Sequence, residues 1–322
     1  MNALQTYSGI LQLTETSIPA STNEALVRVI KSGLCGTDLE IVRGYAGFEG
    51  TIGHEFVGIV ERSETMPELI GKRVVGEINV GCKTCAVCLT GDERHCPHRT
   101  VLGIHGRNGA HADFLTLPGS NLIEVPGNVS DTAAVFTEPL AAAYGITERV
   151  KIESSTSVAV VGDGRLGLLT AFALSTETQE LTLIGKHEEK LGMAARRGIK
   201  TLVLDEMSKM KGDFDVAVDA TGSPSGLATA LSLVRPLGTV VLKTTFHGFT
   251  EWNSTRAVVD EITIVGSRCG RFLPALELLS TRRVVVDDLV SEEFPLTAGV
   301  EAVRRAGEKG VIKVLIDMGV GN

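Results

Sequence analysis

Beyond Pro139 the chain alternates apolar runs one strand long with stretches long enough for a helix, and this rhythm restricts the fold more than any other feature. The runs are residues 157–161, 181–184, 201–204, 215–219 and 239–243. Short apolar runs separated by helix-length connections imply crossover units, and crossover units imply a parallel sheet covered on both faces. The expected class is therefore α/β, with a doubly wound sheet. Directly after the first run, the segment VAVVGDGRLGLLTAFAL places Gly162, Gly164 and Gly167 at the opening of an apolar helix. In that setting a G-x-G-x-x-G pattern predicts dinucleotide binding, because it gives a tight turn, close backbone approach to a pyrophosphate and close packing of helix on strand. Arg165 and Leu166 start the helix, whose free N–H groups face the phosphates. A glycine-rich turn in an unrelated α/β domain is the alternative reading.

The end of the second run bears on cofactor choice. A carboxylate there binds the ribose 2′-hydroxyl of NAD, whereas a small residue with basic neighbours accommodates the 2′-phosphate of NADP. Gly185, Lys186 and His187 occupy that point, so NADP is favoured and NAD is the alternative. Glu188 and Glu189 are the counter-evidence, although acidic residues also suit the first turn of the helix expected next.

Upstream, residues 24–32, 56–61 and 72–78 are short, rich in Val and Ile and bounded by turn residues, which reads as strands. The tail has helix patterns over 273–280 and 297–307 and a final strand over 312–317. A chain of 322 residues exceeds what one core ordinarily supports, so two domains are expected. Net charge is −8 without a basic cluster, which argues against nucleic acid as a partner. No stretch has the length and apolarity of a membrane span, and the opening residues MNALQTYSGILQL lack the pattern of a signal peptide. The expectation is a cytoplasmic protein acting on a small molecule.

Cys82, Cys85, Cys88 and Cys96 fall within the run GCKTCAVCLTGDERHC. That spacing suits a closed tetrahedral site of four thiolates, and zinc is the expected ion. Two disulfides are the alternative, which belongs to small secreted domains. His95 and His98 flank Cys96 and are read as surface residues, and Cys269 as buried packing. A further set lies in three distant segments: Cys35 in GLCGTDLE, His54 in IGHE and Glu138 in FTEPLAA. One thiolate, one imidazole and one carboxylate suit a catalytic zinc with an open fourth position.

Taken in order along nearly the whole chain, CGTD, GHE, the four-cysteine lobe, EPL and VVGxGxxG resemble the zinc-dependent alcohol and polyol dehydrogenases of the medium-chain dehydrogenase/reductase superfamily. The resemblance implies a GroES-like, β-rich catalytic domain over residues 1–140, completed by 271–322, and a Rossmann NAD(P)-binding domain over 141–270. It implies a cleft active site, and a homodimer or homotetramer. Cys35, His54 and Glu138 match the catalytic zinc ligands, and Cys82, Cys85, Cys88 and Cys96 the structural ones, giving two zinc ions per chain. Thr37 matches a hydroxyl that relays the alcohol proton, with a turn hydroxyl as the plain alternative. Asp38 matches the carboxylate that orients the ligating histidine, and Glu55 a residue that approaches the metal in some relatives. Glu138, where other members have a cysteine, resembles the sorbitol, threonine and glucose dehydrogenase branch. Glu40 stands where many relatives carry histidine, so a histidine proton exit does not transfer.

The expected reaction is hydride transfer between an alcohol and NADP, with the metal stabilising negative charge on the alcohol oxygen. A zinc-free quinone or enoyl reductase on the same fold is one rival, and a nonenzymatic NADP-binding protein the other. Both metal-ligand sets argue against them. An aromatic content of 4% and a glutamate-type metal site lean toward a polar, polyhydroxylated substrate. Residues 44–51 and the segment after Lys243 are expected to shape its pocket.

Overall fold

The computed structural model describes residues 1–21, 23–209, 212–245 and 248–319. Phe246 and His247, in the segment expected to shape the substrate pocket, lie outside the described residues. The chain divides into two compact units, Met1–Glu138 with Ala275–Asn322, and Pro139–Pro274.

The first unit is built on a seven-stranded sheet. Its centre is Ala25–Gly33, largely buried on both faces and flanked antiparallel by Glu55–Arg62 on one side and by the C-terminal strand Lys313–Asp317 on the other. Arg73–Gly76 and Leu122–Glu124 extend the sheet beyond Glu55–Arg62, and Phe114–Leu117 pairs with Ala25–Gly33 as well. The strand Val290–Pro295 runs parallel to Lys313–Asp317, with the helix Gly299–Ala306 as crossover. A second sheet joins Asn2–Tyr7 to Ile10–Glu15 and Gly50–Thr51. Ser8 and Gly9, both at positive φ, make the two-residue turn of that hairpin. Leu4, Leu34, Ile41, Ile52, Val314 and Ile316 form a shared core, so the tail of the chain is packed into its beginning.

The second unit is a six-stranded, all-parallel sheet in the order Lys200–Val203, Leu181–Gly185, Val158–Val161, Phe214–Asp219, Val234–Leu242, Thr263–Gly266. Val158–Val161 and Leu181–Gly185 are buried along their whole length, as a sheet covered on both faces requires. The order reverses between Val158–Val161 and Phe214–Asp219, and such a switch point is where doubly wound sheets bind ligands, at the carboxyl ends of the strands. Helix Arg165–Leu174 opens there, with residues from Gly167 to its end buried. No helix among the described residues is long and apolar enough to cross a membrane.

Candidate active site and metal centres

Cys35 ends the turn that follows Ala25–Gly33 and precedes the short helix Gly36–Val42. Its N–H donates to Asp38 Oδ2 at 2.8 Å, so the carboxylate one turn into the helix locks the backbone that carries the thiol. His54 and Glu55 stand together where Glu55–Arg62 begins. The fold brings Cys35, His54 and Glu55 into one group, with one ligand atom of each lying within 4.8 Å of the others.

Three observations test whether a metal fits this group. Two bonds of about 2.3 Å span roughly 4.6 Å, so the group is near the size one ion bridges. The donor set of sulfur, imidazole nitrogen and carboxylate oxygen suits zinc. Glu55 Oε1 is buried with no hydrogen-bond partner, whereas Oε2 accepts from Lys313 Nζ. A buried acceptor left open beside a thiol and an imidazole is a vacant coordination oxygen in chemical terms, and the residues fit the ion.

Buried side chains hold these ligands from behind. Asp38 Oδ1 lies 3.3 Å from His54 Nδ1, which leaves the other ring nitrogen for a metal. Burial opposes ionisation of Asp38, yet His54 and then His111 hold its carboxyl well below the usual carboxylate range. Burial likewise opposes charge on His54, but Asp38 raises it well above the ordinary histidine value. His111 is fully buried, with Nδ1 2.8 Å from Ser32 Oγ and Nε2 3.7 Å from Asp38 Oδ2. Lys313 Nζ, besides binding Glu55, donates to Leu34 O at 3.3 Å. Neither His111 nor Lys313 was found from the sequence. The one signal for Lys313 is a lysine that opens the strand KVLID directly before its apolar residues Val314, Leu315 and Ile316.

Glu138 does not belong to the close group, where Glu55 holds the third place. It sits half-buried in the first turn of helix Thr137–Tyr144. Burial pushes its carboxyl up to about 7; the imidazole of His54 opposes this, and the carboxylates of Glu55 and Glu77 add to it. Glu138 is therefore within electrostatic reach of the group. Thr37 Oγ1 lies 3.8 Å from Cys35 Sγ and is half-buried, which places a hydroxyl beside a ligand atom. Glu40 pairs with Arg43 at 2.7 Å.

The sulfurs of Cys82, Cys85, Cys88 and Cys96 all lie within 4.8 Å of one another. Cys82 and Cys88 are 4.0 Å apart and Cys85 and Cys96 are 3.7 Å apart, near the edge of about 3.8 Å of a tetrahedron with bonds of about 2.3 Å. Cys82, Cys85, Cys88 and Cys96 form no disulfide with one another, which removes the disulfide alternative. Backbone N–H groups of Cys82 and His98 point at Cys96 Sγ, at 3.4 and 3.3 Å. The N–H and hydroxyl of Thr84 draw the Cys82 thiol down to about 5, while burial and the thiols of Cys96 and Cys85 push Cys88 up to about 12. Four such thiols cannot all ionise without a cation among them, and a dication removes that conflict. His95 pairs with Asp92 at 3.0 Å and His98 is exposed, both outside the cluster. Cys269 is half-buried, not buried, because it follows the exposed edge strand Thr263–Gly266.

In the second unit Gly162 has φ 114°, and a Cβ there would stand 2.6 Å from the carbonyl oxygen of Ala220. A Cβ on Gly164 would meet nothing within 4 Å, which is the open side a pyrophosphate requires. Lys186 and His187 are exposed at the end of Leu181–Gly185. Glu188 and Glu189 lie in the first turn of the next helix, Glu188–Ala195, not on the strand end.

Residues 21–127 match the alcohol dehydrogenase GroES-like domain family, and residues 168–281 match the zinc-binding dehydrogenase family. Together these segments span more than half of the chain. A sorbitol dehydrogenase of Halalkalibacterium halodurans is 27% identical over 314 residues, covering 91% of each chain. The structure of an alcohol dehydrogenase from Escherichia coli CFT073, complexed with NADH, superposes with a TM-score of 0.91 at 25% identity over 99% of each chain. A zinc-binding dehydrogenase structure from Sinorhizobium meliloti 1021, bound to NADP, gives 0.89 at 25% identity over 98% of each. Motif order, sheet topology and these similarities agree, and the chain belongs to the medium-chain dehydrogenase/reductase superfamily, among its zinc-binding alcohol and polyol dehydrogenases.

Proposed function

We propose that the chain transfers hydride between a polar, polyhydroxylated alcohol and NADP. The observation that carries the reading is the meeting of Cys35, His54 and Glu55 around the unpartnered Glu55 oxygen. Cys35 and His54 would hold a catalytic zinc together with a glutamate, either Glu55 or Glu138. Bound there, the ion supplies Lewis-acid chemistry, stabilising negative charge on the substrate oxygen. The nicotinamide supplies the hydride acceptor.

The chain's own side chains do the rest. Asp38 fixes the orientation of His54. Thr37, beside Cys35, receives the substrate hydroxyl proton and passes it outward. Lys313 neutralises Glu55 and keeps it on the strand side of the site. Glu138, whose carboxyl is pushed up to about 7 by burial, would be the alternative glutamate to hold the ion in its ionised form. Cys82, Cys85, Cys88 and Cys96 would hold a second, structural zinc. Lys186 and His187, beside side-chain-free Gly185, favour NADP over NAD.

Atomic emission on the purified protein should find about two zinc ions per chain. Oxidation assays across polyols, sugars, amino alcohols and simple alcohols, with NADP⁺ and NAD⁺ compared, identify the substrate class. Glu138→Ala should lower turnover by about a hundredfold or more while leaving the circular dichroism unchanged. Normal activity in that variant removes Glu138 from the ligand set, and less than one zinc per chain sinks the reading.

A further inference from the structure

The acidic group at the cofactor-binding end of Leu181–Gly185 comes from an unexpected element. Gly185 has no side chain, but the position its Cβ would take is already crowded by Asp163, whose Cβ and Oδ2 both lie 2.6 Å away. Asp163 belongs to the glycine turn between Gly162 and Gly164. Its Oδ2 accepts the N–H of Lys186 at 2.8 Å and that of His187 at 2.6 Å. His187 Nδ1 lies 3.1 and 3.0 Å from the two carboxylate oxygens. Asp163 is 7% exposed, whereas Lys186 and His187 reach solvent. Although burial opposes ionisation, the N–H and ring of His187 hold the carboxyl below its usual range.

A carboxylate engaged by three donors is occupied within its own loop. It is not the free acceptor that a strand-end acid offers to a ribose 2′-hydroxyl. Its effect is to fix the backbone of Lys186 and His187 and to tether the imidazole through Nδ1. Nε2 of His187 and the Lys186 ammonium are then the groups left to meet what approaches this edge. We propose that Asp163 is a positioning residue for cofactor choice, bracing Lys186 and His187 as the pair that receives the 2′-phosphate of NADP. The inference rests on the NADP reading above. It adds a residue of the glycine turn that acts directly on Lys186 and His187 at the end of the second strand.

Calorimetric titration of the full chain with ADP and 2′,5′-ADP tests it, because these adenosine fragments need neither zinc nor substrate. Wild type should bind 2′,5′-ADP about tenfold more tightly than ADP, the size expected of charge-assisted bonds to one phosphate. Asp163→Asn turns an amide toward the N–H donors and should erase most of that preference, with ADP affinity held within about threefold. His187→Gln keeps Asp163 and its backbone bonds, and should lose part of the same preference. Equal weakening of both fragments by Asp163→Asn would make the residue a general support of the turn and overturn the proposal. An unchanged preference in Asp163→Asn would overturn it as well. Wild type that binds the two fragments alike defeats the NADP reading and the inference with it; a wild-type preference that survives Asp163→Asn defeats the inference alone.

Discussion

At the scale of single residues, the site rests on a buried ion pair that proximity in sequence does not reveal. Lys313 and Glu55 are 258 positions apart, and their side chains are only 3% and 0% exposed. Removing one partner strands the other charge in a dry interior, so Lys313→Met should cost about 3–5 kcal/mol in urea unfolding. The double variant Lys313→Met with Glu55→Gln should recover much of that loss, because no uncompensated charge remains. A single variant as stable as wild type would mean that Glu55 is neutral or otherwise paired. The same contrast separates what was legible here from what was not. Cys35, Asp38, His54 and Glu55 sit in short motifs whose spacing has chemical meaning. His111 and Lys313 carry no motif, and only folding places them beside Asp38 and Glu55.

At the scale of elements, boundaries read from apolar runs agree with the structure where both faces of a strand are buried. Residues 24–32 correspond to Ala25–Gly33, and residues 181–184 to Leu181–Gly185. Val290–Pro295 escaped notice because its pattern is mostly exposed, and an edge strand needs no apolar face to pair. The expected strand at 239–243 begins earlier, at Val234, through Arg235 and Pro236, which no strand propensity favours. The cysteine lobe is the opposite case, with chemistry plain in sequence and almost no regular structure. Its helix, Ala86–Leu89, has four residues, so a metal held by the four thiolates would supply what a core otherwise gives. Cys85→Ser should therefore lower zinc content toward one ion and reduce the melting temperature by at least ~5 °C, with activity lost through unfolding. Loss of turnover with melting unchanged would assign the lobe a direct catalytic part instead.

At the scale of the whole molecule, the chain closes on itself when Lys313–Asp317 pairs with Ala25–Gly33. Lys31 marks that closure, with its ammonium bound to Glu293 and, at 3.1 Å, to Asp317. Burial raises the Asp317 carboxyl, but the N–H of Gly319 and then Lys31 bring it below its ordinary value. A depressed folded pKa gives stability that is complete above the unfolded value of about 3.9 and is lost as pH falls through the folded one. Burial lowers Lys31, yet its two carboxylates raise it overall, so its share is complete below about 10.4 and fails only at strongly alkaline pH. The stability gap between wild type and Asp317→Asn, measured by urea unfolding, should thus be present in full at pH 6 and shrink as the pH falls below about 3.9. A gap independent of pH would mean the carboxylate charge does not hold the closing strand. The sequence by itself determined the parallel sheet, the glycine turn and the four-cysteine cluster, since these follow from local periodicity and ligand spacing. Only the tertiary structure decided that Glu55 joins Cys35 and His54 in the close group, that Lys313 and His111 stand behind them, and that Asp163 fills the place beside Gly185. Those choices depend on which distant segments share a desolvated space, and the energy of a buried charge is set by neighbours that linear order does not specify.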